Sequence, residues 1–293
     1  MGLITNILFP VDFSPSCVAM ASYVKRAATL FGAKVSLIHV FDPASYNGFE
    51  LYLVRKPSEI AEEHQTIGSD RLNSFLRDEF PVSQYPRILV AGDAATQIAE
   101  VAKTGFDLII MPTYAGTFRR MLIGSTTAKV LNDADCPVLT SRHAQKIAPR
   151  PLEHREWLCT IGLDEDSERV LRYAHLAAAE AHSNLHIIHA IQATDPNLPV
   201  QLDGEEQIQE EQIQSEEKRQ VRQRITDLQR RVGSRASVRI VVGPIKEALL
   251  QVARRFDADA LIVGRGPQSG DRGRIRDLTY AIVRDSPFPV LSI

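Results

Sequence analysis

The stretch Asp107-Leu108-Ile109-Ile110-Met111-Pro112-Thr113-Tyr114-Ala115-Gly116-Thr117-Phe118-Arg119-Arg120-Met121-Leu122-Ile123-Gly124-Ser125 decides how this chain is read. Its first residues form an unbroken apolar run, as expected of a strand covered on both faces. Small residues follow, and then Thr126-Thr127-Ala128-Lys129-Val130-Leu131 takes up a helical period. A strand, a small-residue loop and a helix start is an arrangement that α/β proteins use to hold phosphate. Backbone N–H groups converge there, and the positive end of the helix dipole favours an anion.

Working outward, strands and helices alternate. Ile7 to Asp12 reads as a short strand ending in a carboxylate, and Ser14-Pro15-Ser16 opens a helix running to about Leu30, stopped by Gly32. Lys34 to Phe41 is a second strand, Asp42 to Ser58 a loop, and Glu59 to Phe80 an amphipathic helix. Arg87 to Ala91 is a third strand, and Gly92-Asp93 leads into a helix over Ala95 to Lys103. Pro137 to Ser141 is a fifth strand. This alternation predicts right-handed βαβ units and a doubly wound parallel sheet.

The pattern then starts again. Leu158 to Asp164, Leu185 to Ile191, Val238 to Val242, Ala260 to Gly264 and Pro289 to Ser292 repeat the five strands. Asp164 follows Asp12 by 152 residues, Gly243 follows Gly92 by 151, and Pro289 follows Pro137 by 152. A nearly fixed spacing of equivalent features means a tandem duplication. The expected domains are 1–143 and 154–293, joined by a polar, proline-bearing linker over 144–153. One segment differs between the halves. Asp203 to Arg231 reads as a long helix with an acidic start and a basic end, a gradient that suits the macrodipole. It is read as a solvated outer helix, with a coiled-coil partner surface as the second possibility.

Composition narrows the function. The chain has 293 residues, 44% hydrophobic and 24% charged, with a net charge of −2. That charge, without a concentrated Lys/Arg face, argues against nucleic acid as a partner. No run of 18 apolar residues exists to span a membrane, and the N-terminus lacks the basic region of a signal peptide. Cys17, Cys136 and Cys159 have no metal-like spacing and are expected as buried, reduced thiols in a cytoplasmic protein. His186 and His189 lie three apart on a strand, so they face opposite ways and cannot share a metal. His39 and His189 occupy equivalent places in the two halves and read as structural or cleft-lining. No nucleophile elbow, P-loop or G-x-G-x-x-G is present, so no catalytic residue is assigned and the protein is expected not to be an enzyme.

The order strand–Asp–capped helix, a Gly after strand three, a small-residue loop after strand four and a closing Cys136-Pro137-Val138-Leu139, all repeated, resembles the universal stress protein family. The resemblance spans essentially the whole chain as two tandem domains. It implies a Rossmann-like fold of the adenine nucleotide alpha hydrolase kind, five parallel strands flanked by helices. It also implies a stress-response role in which some members bind ATP, and pairing of fifth strands, here between the two halves of one chain. Association of two chains into a homodimer stays open.

In that family, an Asp ending strand one and a Val ending strand two contact adenosine. A loop of the form G-x2-G-x9-G-(S/T) after strand four holds ribose and phosphates. Carried over, Asp12 and Val40 take the adenosine positions, and Gly124-Ser125, with Thr126 behind, closes the loop. Pro112 and Ala115 stand where the opening glycines should be, which leaves Gly116 as a substitute in a shifted register. In the second half Asp164 matches the Asp and Gly264 the first glycine, with Gly266 close by. Ala190 replaces the Val, Pro267 the second glycine, and Arg276-Asp277 the Gly-Ser pair. The expected ligand is therefore ATP or another adenine nucleotide, favoured in the first half, with no metal. Two alternatives stand beside it: a pseudo-dimeric protein-interaction module that binds no nucleotide, and a weak ATP-hydrolysing enzyme.

Overall fold

The computed structural model describes residues 2–42, 57–113, 122–146, 148–149, 155–192, 201–202, 211–266 and 277–293. The chain divides into two compact units, Met1–Pro149 and Arg150–Ile293.

In the first unit, β1 (Asn6–Pro10), α1 (Pro15–Phe31), β2 (Lys34–Phe41), α2 (Pro57–Ser74), β3 (Arg87–Ala91), α3 (Ala94–Ala102), β4 (Leu108–Pro112), α4 (Ser125–Asp133) and β5 (Val138–Ser141) alternate along the chain. The sheet order is β3-β2-β1-β4-β5, and each of these neighbours pairs in parallel. Ile7, Leu8 and Phe9 of β1 and Ile109 and Ile110 of β4 are fully buried, because helices cover both faces of the sheet. Removing each such side chain from water contributes about 1.5–3 kcal/mol.

Local chemistry sets the helix ends. Ser14 Oγ accepts from the N–H of Cys17, Pro15 occupies the first turn of α1, and Gly32 at φ 60° ends it in the left-handed conformation. Asp93 caps α3, accepting from the N–H and hydroxyl of Thr96, and these bonds hold its carboxyl down at about 2. The helix expected to reach Phe80 stops at Ser74 instead. Leu76 turns left-handed at φ 50°, and Arg87 Nη2 ties down the carbonyls of Phe75 (3.2 Å) and Phe80 (2.6 Å). An arginine at the start of β3 thus caps the turn more firmly than the helical period continues it.

The second unit repeats the plan with β6 (Glu156–Thr160), α5 (Ser167–Glu180), β7 (Asn184–Gln192), β8 (Gln201–Leu202), α6 (Glu211–Val232), β9 (Ser237–Gly243), α7 (Ile245–Arg255), β10 (Ala260–Val263), α8 (Asp277–Asp285) and β11 (Val290–Ser292). Its order is β11-β10-β6-β7-β9-β8. Five strands are parallel, and the short β8 adds an antiparallel edge on β9 that the repeat pattern did not anticipate. The long charged helix is observed over Glu211–Val232; the start expected at 203–210 lies outside the described residues. Val221, Ile225 and Leu228 are its buried stripe.

The strand pairings give the true register of the duplication. Leu8 pairs with Ser36 and with Ile109, and Leu158 pairs with His186 and with Leu261. The first two strands therefore repeat at 150 residues and the fourth at 152, the extra residues entering through the intervening connections. Paired details follow the same register. Val11 N–H donates to Ile38 and Ile161 N–H to Ile188, while Phe13 and Leu163 are both left-handed, at φ 63° and 57°. His39 Nδ1 donates to the Val11 carbonyl and His189 Nδ1 to that of Ile161, each at 2.8 Å. Burial pushes both rings below the ordinary histidine value, so both are neutral pillars under the first strand.

Candidate functional site

In the first unit the chain runs from β1 through α1 to β2 on one side, while β4 flanks β1 on the other. The crevice at the carboxyl ends of β1 and β4 is the topological switch point, where open α/β sheets take their ligands. Asp12 stands there, exposed, two residues past β1. Its Oδ1 accepts from the N–H of Ser14 and from the thiol of Cys17, both at 2.9 Å. Burial, reinforced by the Asp12 charge, pushes the Cys17 thiol far up, so it remains a protonated donor. Val40 is half-buried at the same end of β2, opposite Val90 and two residues beyond Ile38.

Gly124 precedes α4 and donates its N–H to the Thr113 carbonyl at 2.9 Å, which sets the helix start against the end of β4. The lock is completed by Thr127, whose hydroxyl donates to the Pro112 carbonyl at 3.0 Å. No side chain caps α4. Ser125 is exposed and Thr126 half-exposed, so the orphan amides of this first turn are presented for an acceptor. Three adjacent strands thus bring Val40, Asp12 and Gly124-Ser125-Thr126 to one edge. Gly116 lies outside the described residues.

The second unit keeps the frame and changes the contents. Thr279 repeats the Thr127 lock, donating to the Gly264 carbonyl at 2.7 Å. Asp164, however, is displaced from the place of Asp12. The 150-residue register makes Gly162 the counterpart of Asp12 and Asp164 the counterpart of Ser14. Counting aspartates at 152 residues misaligned them because the two extra residues enter only after β7. Asp164 serves its own turn instead, exchanging hydrogen bonds with the Ser167 hydroxyl.

Gly264 has a packing reason rather than a ligand reason to be glycine. A Cβ there would meet Val170 Cγ2 at 2.9 Å and Asp166 Oδ2 at 3.1 Å. Asp166 is buried and held by Arg169 through two hydrogen bonds of 2.7 and 3.0 Å, and Arg169 also donates to the Ile293 carbonyl. A carboxylate therefore fills the mouth where the first unit offers amides. Gly266 is left-handed at φ 107°, and 267–276 lie outside the described residues.

Sequence reasoning passed over Asp166–Arg169, although a D-x-x-R spacing at a helix start was a visible signal. It also passed over Thr127 and Thr279, which recur at the 152-residue interval. None of the three cysteines forms a disulfide; Cys17 and Cys159 are buried, while Cys136 is only half-buried, at the end of a short loop before β5. Among the described residues no group of three or more His, Cys, Asp or Glu could hold a metal. None of the described helices is long and apolar enough to cross a membrane.

The universal stress protein family model matches the chain twice, over residues 4–142 and 155–293. The universal stress protein MJ0531 of Methanocaldococcus jannaschii is 30% identical over 154 residues, covering 50% of this chain and 86% of that protein. The fold is shared with the crystal structure of a universal stress protein from Archaeoglobus fulgidus, at a TM-score of 0.65, 18% identity, 98% of this chain and 97% of that one. It is shared also with a functionally unknown protein from Pseudomonas aeruginosa PAO1, at a TM-score of 0.61, 18% identity, 99% of this chain and 92% of that one. With both halves matched in sequence and both built on the same α/β frame, this chain belongs to the universal stress protein family.

Proposed function

We propose that this universal stress protein binds one adenine nucleotide per chain, in its first unit, and senses or signals through that binding without turning the nucleotide over. One observation carries the reading: the exposed Asp12 carboxylate and the uncapped first turn of α4 face the same switch-point edge. A carboxylate suits ribose hydroxyls, and free helix-terminal amides suit phosphate oxygens. Val40 supplies apolar surface at the end of β2 for the base. Pro112 withdraws one amide from the cradle and the Gly124 N–H is already given to Thr113, so the phosphates rest on the amides of Ser125 and Thr126.

The second unit is a scaffold in this reading. Gly162 has no carboxylate to offer, and Asp166 opposes a phosphate by like charge. Three cysteines without a disulfide are in keeping with a cytoplasmic setting.

Isothermal titration of the full chain with ATP tests the proposal. One site per chain is expected, lost in Gly124→Glu, which sets a carboxylate against the phosphates, while phosphate release stays at the protein-free level. No binding heat at millimolar ATP would refute it.

A further inference from the structure

The opposite edge of the second sheet carries a separate constellation. Glu156 is the first residue of β6, Asn184 and His186 the first and third of β7, and Ser237 the first of β9. Glu156 pairs with Asn184, and His186 with Ser237, so all four share one face at the amino ends of three neighbouring strands. Glu156 Oε2 lies 2.7 Å from His186 Nε2, and His186 Nδ1 lies 2.6 Å from Ser237 Oγ. Asn184 Nδ2 donates to Glu156 Oε1 at 2.6 Å and steadies the carboxylate. The His186 ring rests on Phe256 with centroids 4.6 Å apart, and the Arg239 guanidinium lies 5.8 Å from the centroid of the same Phe256 ring.

The proton positions follow from the partners. A carboxylate can only accept, so Nε2 carries the ring hydrogen and donates it to Glu156. In the neutral ring Nδ1 is then a lone pair, and the Ser237 hydroxyl donates to it. A hydroxyl bonded to a neutral imidazole whose far side is held by a carboxylate is the activated-nucleophile arrangement, here with the two ring nitrogens exchanged relative to the usual order. Ser237 is solvent-exposed, so a substrate can reach its oxygen. Arg239, two residues further along the same strand and on the same face, supplies a cation beside it.

The first unit holds none of this. At the corresponding positions stand Asn6, Lys34, Ser36, Pro86 and Ile88, although the backbone frame is the same. The relay is therefore no requirement of the fold.

We infer that Ser237, His186 and Glu156 form an acyl-transfer site that hydrolyses small carboxylic esters, distinct from the nucleotide edge. Ser237 Oγ forms a bond to the ester carbonyl carbon as its proton passes to His186 Nδ1, and Arg239 stabilises the oxyanion. The intermediate collapses by breaking the carbon–alkoxy bond, and the departing alcohol takes the proton from Nδ1. Water, deprotonated by the same nitrogen, attacks the acyl-serine, releasing the carboxylic acid and returning the proton to Oγ. The net reaction is ester plus water to acid plus alcohol.

The full chain is treated with a fluorophosphonate probe, the adduct is mapped by peptide mass spectrometry, and p-nitrophenyl acetate hydrolysis is followed alongside. The adduct is expected on Ser237, with both adduct and turnover lost in Ser237→Ala. His186→Gln should slow labelling by roughly a hundredfold or more, with circular dichroism showing an intact fold. Labelling of wild type no faster than Ser237→Ala, an adduct elsewhere, or an undiminished rate in folded His186→Gln would each overturn the inference. ATP titration of Ser237→Ala, expected to match wild type, keeps this outcome separate from that of the nucleotide site.

Discussion

Asp12 does two jobs that substitution can separate. Its Oδ1 accepts from the Ser14 N–H and the Cys17 thiol, both within the turn that starts α1, and in the proposed function its charge meets the ribose. Asp12→Asn keeps an oxygen for the turn and removes the charge, whereas Asp12→Ala removes both. A hydrogen bond to a charged partner is worth about 1.5–3 kcal/mol against roughly 1 for a neutral one. Asp12→Asn should therefore weaken ATP binding by about 1–2 kcal/mol, or roughly 5- to 30-fold in Kd, with little change in Tm. Asp12→Ala should lose roughly 10- to 150-fold. It should also cost about 1 kcal/mol of stability through the lost turn bonds, a fall of roughly 2–4 °C for a unit of this size. Cys17 does not complicate the reading, because burial is the leading cause that keeps its thiol protonated in both variants. Titration calorimetry and thermal denaturation on the three proteins read the two effects apart. Wild-type affinity in Asp12→Asn would refute the assignment of Asp12 to the site; a Tm loss in Asp12→Asn equal to that in Asp12→Ala would refute the account of the turn.

Two further outcomes are expected. Gly264→Ala should destabilise the second unit by about 1–3 kcal/mol through overpacking. Its new methyl meets Val170 at 2.9 Å and Asp166 at 3.1 Å, and Arg169 prevents the carboxylate from yielding; an unchanged urea midpoint would show that the contact relaxes freely. Acid should destabilise the chain through His39 and His189, whose native values are depressed by burial from an ordinary 6.5. Between the depressed and ordinary values the unfolded chain binds more protons, so the stability is full above about pH 6.5 and drains as pH falls below it. Urea midpoints at pH 7.5 and 5.5 should differ by less in His39→Gln/His189→Gln than in wild type, and equal differences would remove these residues from the explanation.

The sequence by itself determined the plan of this protein. Continuous apolar strands such as Leu108-Ile109-Ile110, caps at Ser14, Gly32 and Asp93, and the recurrence of the whole pattern are short-range or periodic signals, legible without neighbours. The Asp12, Gly124 and Ser125 positions were legible for the same reason, since each sits at the end of one element. Tertiary structure decided what depends on which strand lies beside which. α2 stops at Ser74 because Arg87, distant in sequence, reaches the Phe75 and Phe80 carbonyls. Gly264 is glycine because the start of α5 leans on it, and Asp164 falls out of the Asp12 position because connection lengths, not residue counts, set the register. Ser237, His186 and Glu156 lie 51 and 30 residues apart along the chain, and no local pattern links them. Only the parallel pairing of β6, β7 and β9 draws them within hydrogen-bonding reach, because backbone ladders align side chains whose spacing in sequence is set by the helices between them.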